Sequence, residues 1–584
     1  MSADRPTVSP DLIAAIIEAT PDRVRRRLDK TPDAAGGWQW EAGAEAWSVD
    51  TGGETVTLRH GHIVSVDQIR CTCLLSPGCF HILACLTHLQ VVIVESAPAD
   101  QGEQATPVSL DSDEDLVEPS DAQRNTAREL ANSVSELLRA GVANAGVVVQ
   151  SGLLRAVHQC RADGLHRLAA LGLRVIGGTS EFRSRAATAD PEQLSEDVGD
   201  ILENSRHLLH DRAVNSFWIG TARRKQLPVN PRRLYGLFAE PIITRSGFTG
   251  AAVYFLGEDD RFYSASDVRP GDAQHARNAY LGGIEIGSLV QPAKQLARAL
   301  YLGSEMTASA DGRLGRGKAI RIVEHGRSNW QSEAIQRRFR RRPQEQWDAV
   351  YSQTALPADA RSAGWDFVFL EGTVLGASGS ELLFALQSNN VPVRLAIQNE
   401  SEPLCFRENL RMLSFAPGLR LQMIARVDLR TPRRLYPLAI AAATGDANAE
   451  APRLEIPDSF AGRFCMGFDE IQRTFLPTAG PLAMILDIPA MEHIEDPLIP
   501  LRRRWVATML SGDVARRTGK ANLLDAEMAG LKRSGFATGA ALLNALSSTS
   551  SHSGPGRNDT FLATAVYVHT SSHELARARA FPGN

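Results

Sequence analysis

The sequence predicts a multidomain α+β protein, on three observations. The chain has 584 residues, too many for one hydrophobic core. Residues 71–81 read CTCLLSPGCFH, which gathers three of the seven cysteines and a histidine into one short stretch. Residues 232–330 set out three strands, a helix and a strand, and residues 364–441 repeat that order and end on two strands. These features divide the chain into a small ββα finger module within 1–95, an acidic linker at 96–120, a helical region at 121–211, an α/β region at 212–345, a β-rich region at 346–451 and a mainly helical region at 452–584.

Composition narrows the class. Apolar residues make up 43% and the formal charge is -4, so the chain is no generally basic nucleic-acid binder. MSADRPTVSP has no apolar core of a signal peptide, and no apolar run approaches the roughly 18 residues of a membrane span. The expectation is a cytoplasmic protein with reduced thiols. Clustered cysteines there point to metal rather than disulfides.

In the cluster, Cys71, Cys73, Cys79 and His81 follow C-x-C, five residues, then C-x-H. Structural zinc takes four ligands in a tetrahedron, mostly thiolate and imidazole. The expected cofactor is therefore one structural Zn(2+) per chain. C-x-C can supply two thiolates where a strand turns a corner, and Pro77 and Gly78 bend the loop back so that Cys79 and His81 approach the same point. HILACLTHL continues with helical spacing, placing Ile82, Leu86 and Leu89 on one face. Before the cluster, ETVTLRHGHIVSVDQIR alternates and reads as two short strands joined near His60 to His62. A full Cys3His set leaves no open coordination position, so a catalytic metal is not expected. Cys85 and His88, one and two turns past His81, are either alternative ligands or packing residues.

The strand pair, the C-x-C/C-x-H signature and Ala84 on the helix resemble the SWIM zinc finger, over roughly residues 45–92. The five-residue spacer is short for that family, and Phe80 stands where many members carry a basic residue. The resemblance implies a nucleic-acid or protein interaction module, and bacterial members often accompany ATPases in larger systems. Residues 1–95 carry 8 Lys/Arg against 12 Asp/Glu, a balance that disfavours phosphate contacts. The expected role is thus a non-enzymatic adaptor or scaffold. The expected partner is a protein first, with an ATPase-containing complex as what the resemblance implies, and DNA or RNA second. An enzyme within residues 212–584 ranks third.

The remaining regions follow from local pattern. Residues 9–30 read as two short helices restarted at Pro21, and RVRRRL within them as a solvated face. Trp38, Trp40 and Trp47 suggest a strand covering the finger's apolar side. The stretch 96–119 has seven acids and no Lys or Arg, the composition of a disordered linker. Leu130, Val134, Leu137 and Leu138 share one helix face, and Asp190 before Pro191 is a helix start. Residues 288–303, SLVQPAKQLARALYLG, read as the helix of the first repeat, and RENLRMLSF as that of the second. Three strands, a helix and two strands is the order of an OB-like barrel.

Several motifs are set aside. GRLGRGKA mimics a P-loop, but Ala319 follows Lys318 where Ser or Thr must bind magnesium. HTSSH lacks the glutamate of a zinc-protease helix. One basic run stands out: Arg337, Arg338, Arg340, Arg341 and Arg342, with Phe339 among them, form a possible anion-binding surface, or else a face paired with acids elsewhere.

Overall fold

The computed structural model describes residues 5–91 with short gaps before residue 46, and then 116–186, 189–221, 226–244, 247–317, 319–354, 356, 360–387, 392–443, 453–477, 496–513, 521–548 and 555–580. The acidic stretch 96–115, Lys318 and the 549–554 part of the last loop lie outside them. The protein is mixed α/β and forms two compact units. One takes residues 1–98, 109–223 and 495–570; the other takes 224–494 with the C-terminal end from Ser571, and 99–108.

In the first unit, strands β1 (Gln39–Ala42), β2 (Ala46–Asp50), β3 (Thr55–Arg59) and β4 (Ile69–Cys71) form an antiparallel sheet in that order. Alternation places Trp47, Val49, Val56, Leu58 and Ile69 inward. Helix α1 (Phe80–Leu86) buries Ile82 through Leu86 against them. Two strands were expected directly before the cluster and one from the tryptophan segment; the sheet has four, because the tryptophan segment supplies two. Thr7–Val8 pairs in parallel with both His62–Ile63 and Gln90–Val91, tying the N-terminal segment to the module.

Four helices follow: α2 (Asp121–Ala140), α3 (Val147–Ala162), α4 (His166–Arg183) and α5 (Pro191–His210). The anticipated face of α2 is buried, and Ser120 caps it reciprocally with Gln123. Asp190 accepts from Gln193 N at 3.0 Å, as its position before Pro191 implied. Consecutive helices pack together and α5 returns to α2. The approach is close: a Cβ on Gly172 would lie 2.3 Å from Val157 Cγ2.

The second unit contains the two repeats. Strands β5 (Arg233–Ile243), β6 (Phe248–Gly257) and β7 (Phe262–Pro270), helix α6 (Ala273–Leu281), then β8 (Ala299–Ser304) and β9 (Arg321–Arg327) give a sheet of order β7-β6-β5-β8-β9. Between the repeats lie α7 (Glu333–Phe339) and α8 (Pro343–Gln353). The second repeat runs β10 (Phe367–Ser378), β11 (Glu381–Leu386), β12 (Pro392–Leu395), α9 (Phe406–Ser414), β13 (Arg420–Val427) and β14 (Arg434–Ala442), with β15 (Arg463–Cys465) added outside. Its sheet order is β12-β11-β10-β13-β14-β15, and parallel pairing of β12 with β14 closes the first five strands into a ring.

Two local expectations change. The helix assigned to 288–303 is mostly strand: Leu289–Pro292 and β8 flank a single helical turn at Ala293–Leu296. Pro292 breaks a helix there, and β8 gains ladders with both β5 and β9. The helix of this repeat is α6, capped by Asp272. Toward the C-terminus, residues 453–477 are irregular apart from β15 and two short 3-10 turns. Helices α10 (Ile499–Ser511), α11 (Ala521–Arg533), α12 (Ala537–Ser547) and α13 (Pro555–Ala580) then form the helical C-terminal region.

Candidate metal centre

Each ligand is placed by a different piece of backbone. Cys71 ends β4, Cys73 lies in the following turn, and His81 is on the first turn of α1. Cys79 caps α1: its Sγ accepts from Ile82 N at 3.4 Å. The loop between returns through a cis Ser76–Pro77 peptide. One ligand atom from each of Cys71, Cys73, Cys79 and His81 lies within 4.8 Å of the others. Cys71 Sγ and His81 Nδ1 are 3.6 Å apart. A tetrahedral ion with the usual metal–sulfur and metal–nitrogen lengths separates such a pair by about 3.5 Å. The donor set therefore fits a metal ion, and these residues could hold one.

Electrostatics set the terms of binding. Burial pushes the Cys79 thiol up to about 12, against the lowering pull of the Ile82 N–H. Burial also raises Cys71 and lowers His81. Without metal the thiols stay protonated at neutral pH while the imidazole stays neutral and offers its lone pair. A metal ion must displace thiol protons to bind.

The surrounding side chains pack rather than ligate. Cys85 is fully buried in the finger core and outside the ligand group. His88 packs on Trp40 with ring centroids 6.5 Å apart. Trp38 meets Phe80 edge-on at 6.2 Å and tilts over His81 at 6.0 Å. Trp40 donates Nε1 to Ala35 O at 2.9 Å. The tryptophans thus wall the centre.

The arginine run lies on α7 and the turn after it. Arg338 and Arg341 both pair with Asp260, at 2.8 and 2.7 Å. Arg340 grips Glu333 with both terminal nitrogens, and Arg342 is 4.0 Å from Glu345. Arg338 is mostly buried, with its guanidinium 4.7 Å from the Phe262 ring centroid. Among the described residues, Arg337 is the member of the run with no ion pair. Asp260, from the β6–β7 turn, was not visible as a partner in the sequence, because 78 or more residues separate it from these arginines.

Sequence reasoning also missed two buried polar hubs. Asp469 accepts from Arg298 at 2.7 Å, Tyr280 at 2.8 Å and the Cys465 backbone at 2.7 Å. Glu240 holds Arg426 by both carboxylate oxygens, at 3.0 and 2.9 Å, and accepts from Tyr254. Nothing local marks these carboxylates among 67 acids. Both hubs join the two repeats.

No family model, curated protein or solved structure matches this chain. Among the described residues, no helix is long and apolar enough to cross a membrane.

Proposed function

We propose that Cys71, Cys73, Cys79 and His81 hold one structural zinc ion, and that the chain is a cytoplasmic, non-enzymatic adaptor working through protein partners. The observation that carries this reading is the closed set of three thiols and one imidazole within 4.8 Å. When bound, the metal supplies a cross-link among a strand end, a loop and a helix start. The residues position it: Cys79 through its helix cap, His81 through the Trp38 wall. The SWIM resemblance supports an interaction role. The OB-like reading of the two repeats is supported by their strand order and by the β12–β14 closure. The nucleic-acid reading of the arginine run is less favoured, since ion pairs already engage Arg338, Arg340, Arg341 and Arg342.

Two measurements test the proposal. Elemental analysis of reduced, freshly purified protein should find about one zinc per chain, lost in Cys73→Ser and kept in Cys160→Ser. Absence of zinc from the wild type removes the metal reading. Co-purification from the native cell with and without nuclease should return a protein partner that survives nuclease, such as an ATPase-containing complex. Partners lost on nuclease would transfer the reading to nucleic acid.

A further inference from the structure

The finger exposes what its size should lead it to bury. Leu74 is 103% exposed and Leu75 is 47% exposed, while every other leucine of the described finger residues is buried. Both sit at the tip of the loop between Cys73 and Cys79, so the ligand cluster anchors the loop on either side. Next to them opens a groove of about 530 Å³ that runs into the ligand cluster, where Cys73, Cys79 and His81 form its inner end, and whose apolar outer walls include Val24, Leu74, Leu75 and Phe80. Arg23 and Arg27, four residues apart at helical positions, line the same groove. The Arg27 guanidinium lies 4.4 Å from the Phe80 ring centroid, which orients its fork over the apolar floor. Among the described residues neither arginine is engaged in an ion pair. Among the described residues, Glu54 is the one carboxylate on the groove wall, and it accepts a hydrogen bond from the Thr72 hydroxyl.

We propose that this groove binds a peptide segment of a partner protein in which an aliphatic or aromatic side chain neighbours a carboxylate. The proposal rests on the adaptor reading and names its surface. The leucine tip and Phe80 receive the apolar side chain; Arg23 and Arg27 present planar forks that suit a carboxylate. Because metal ligands flank the loop, the tip is ordered before the partner arrives, and little freedom is lost on binding. Charge decides against a nucleic-acid strand. Two arginines cannot track a phosphate backbone, and residues 1–95 hold four more acids than bases. A single carboxylate meets only the local surplus of one cation over Glu54. The closed ligand set leaves no coordination position for the occupant, so recognition falls to the groove side chains.

The test uses the full-length, zinc-loaded protein. Displayed random dodecapeptides are selected against it, and the most enriched peptide is labelled for fluorescence polarisation. Enriched sequences should place Leu, Ile, Phe or Trp beside Asp or Glu. Leu74→Ser with Leu75→Ser should weaken binding at least about tenfold. Arg23→Ala with Arg27→Ala should weaken it several-fold and flatten its salt dependence. Both double variants should keep their zinc, which reports an intact finger, and Val290→Ser, at an exposed apolar position in the other unit, should change nothing. Enrichment without that pattern, or affinity untouched by both double variants, overturns the proposal. So does displacement of the peptide by a twenty-nucleotide strand, or light scattering that shows the leucines holding a second copy instead. If the wild type selects no peptide yet co-purifies a nuclease-resistant partner, the groove assignment falls and the adaptor reading stands. If no partner co-purifies at all, the adaptor reading falls, and the proposal with it.

Discussion

The metal finger and the second barrel hold themselves together differently. The finger packs four short strands and one helix of two turns around a small core, and its Cys71–Cys79 loop brings two leucines that stay in water. The barrel closes five strands by pairing β12 with β14 and fills the ring with Phe384, Leu382, Val393, Met423 and Ile440. In the barrel, backbone ladders and apolar burial offset the entropy of ordering the chain. In the finger, the loop has no ladder and buries little, so side-chain ligands must do this locally. With the proposed metal bound, that cross-link would replace the core that the two exposed leucines would otherwise have joined.

Removing the metal is the strongest way to break this contrast. Chelation, or Cys73→Ser, should destabilise the finger on the order of 10 kcal/mol, the scale of structural zinc binding. Hydrogen exchange should lose protection across residues 55–89 while β10 to β14 keep theirs. Equal loss in both regions would show that the barrel's stability depends on the finger.

Acidity should act on the finger alone. Burial raises Cys79 to about 12 and also raises Cys71, so the free thiols hold their protons through the neutral range. Binding then releases roughly two protons from Cys71 and Cys79, and affinity should fall up to about a hundredfold for each unit of decreasing pH. Calorimetry of zinc binding in buffers of different ionisation enthalpy counts those protons. A count near zero would mean the thiols are already ionised.

The second unit should break at a buried carboxylate instead. Asp469→Ala leaves Arg298, itself 7% exposed, without its counter-charge. The expected loss is about 3–5 kcal/mol, read as a lower urea midpoint for the second unit with zinc content unchanged.

The smallest effect belongs to the arginine run. Replacing Arg340, Arg341 and Arg342 by Ala removes exposed pairs and should cost about 1 kcal/mol or less for each. Replacing Arg338, which is mostly buried with Asp260 and Phe262, should cost more than any of the three. Thermal melts of the four single variants rank them.

Legibility followed sequence separation. The ligand cluster spans residues 71–81, so its spacing could be judged without knowing the fold. Asp190 was readable as a cap because a cap and its partner lie three residues apart; Ser120, which caps α2 in the same way, was not singled out. The six elements of the second barrel were visible because each carries its own periodicity. Residues 288–303 misled because the spacing of QLARALYL satisfies both helix and strand periods, and only pairing of β8 with β5 and β9 chose between them. Leu74 and Leu75 could not be seen as exposed, since an apolar residue in a loop carries no mark of which way it points.

By itself, the sequence determined that Cys71, Cys73, Cys79 and His81 could hold a metal ion, the helix start at Asp190, the alternation of the strands and the order of elements in the second repeat. These rest on contacts among near neighbours, whose geometry is dictated by backbone period and side-chain chemistry. Only the tertiary structure decided that β12 meets β14, that Asp260 takes Arg338 and Arg341, and that Glu240 grips Arg426 across 186 residues. Such choices depend on which surfaces remain after everything else has packed, and one charged side chain looks like any other until burial removes its alternatives.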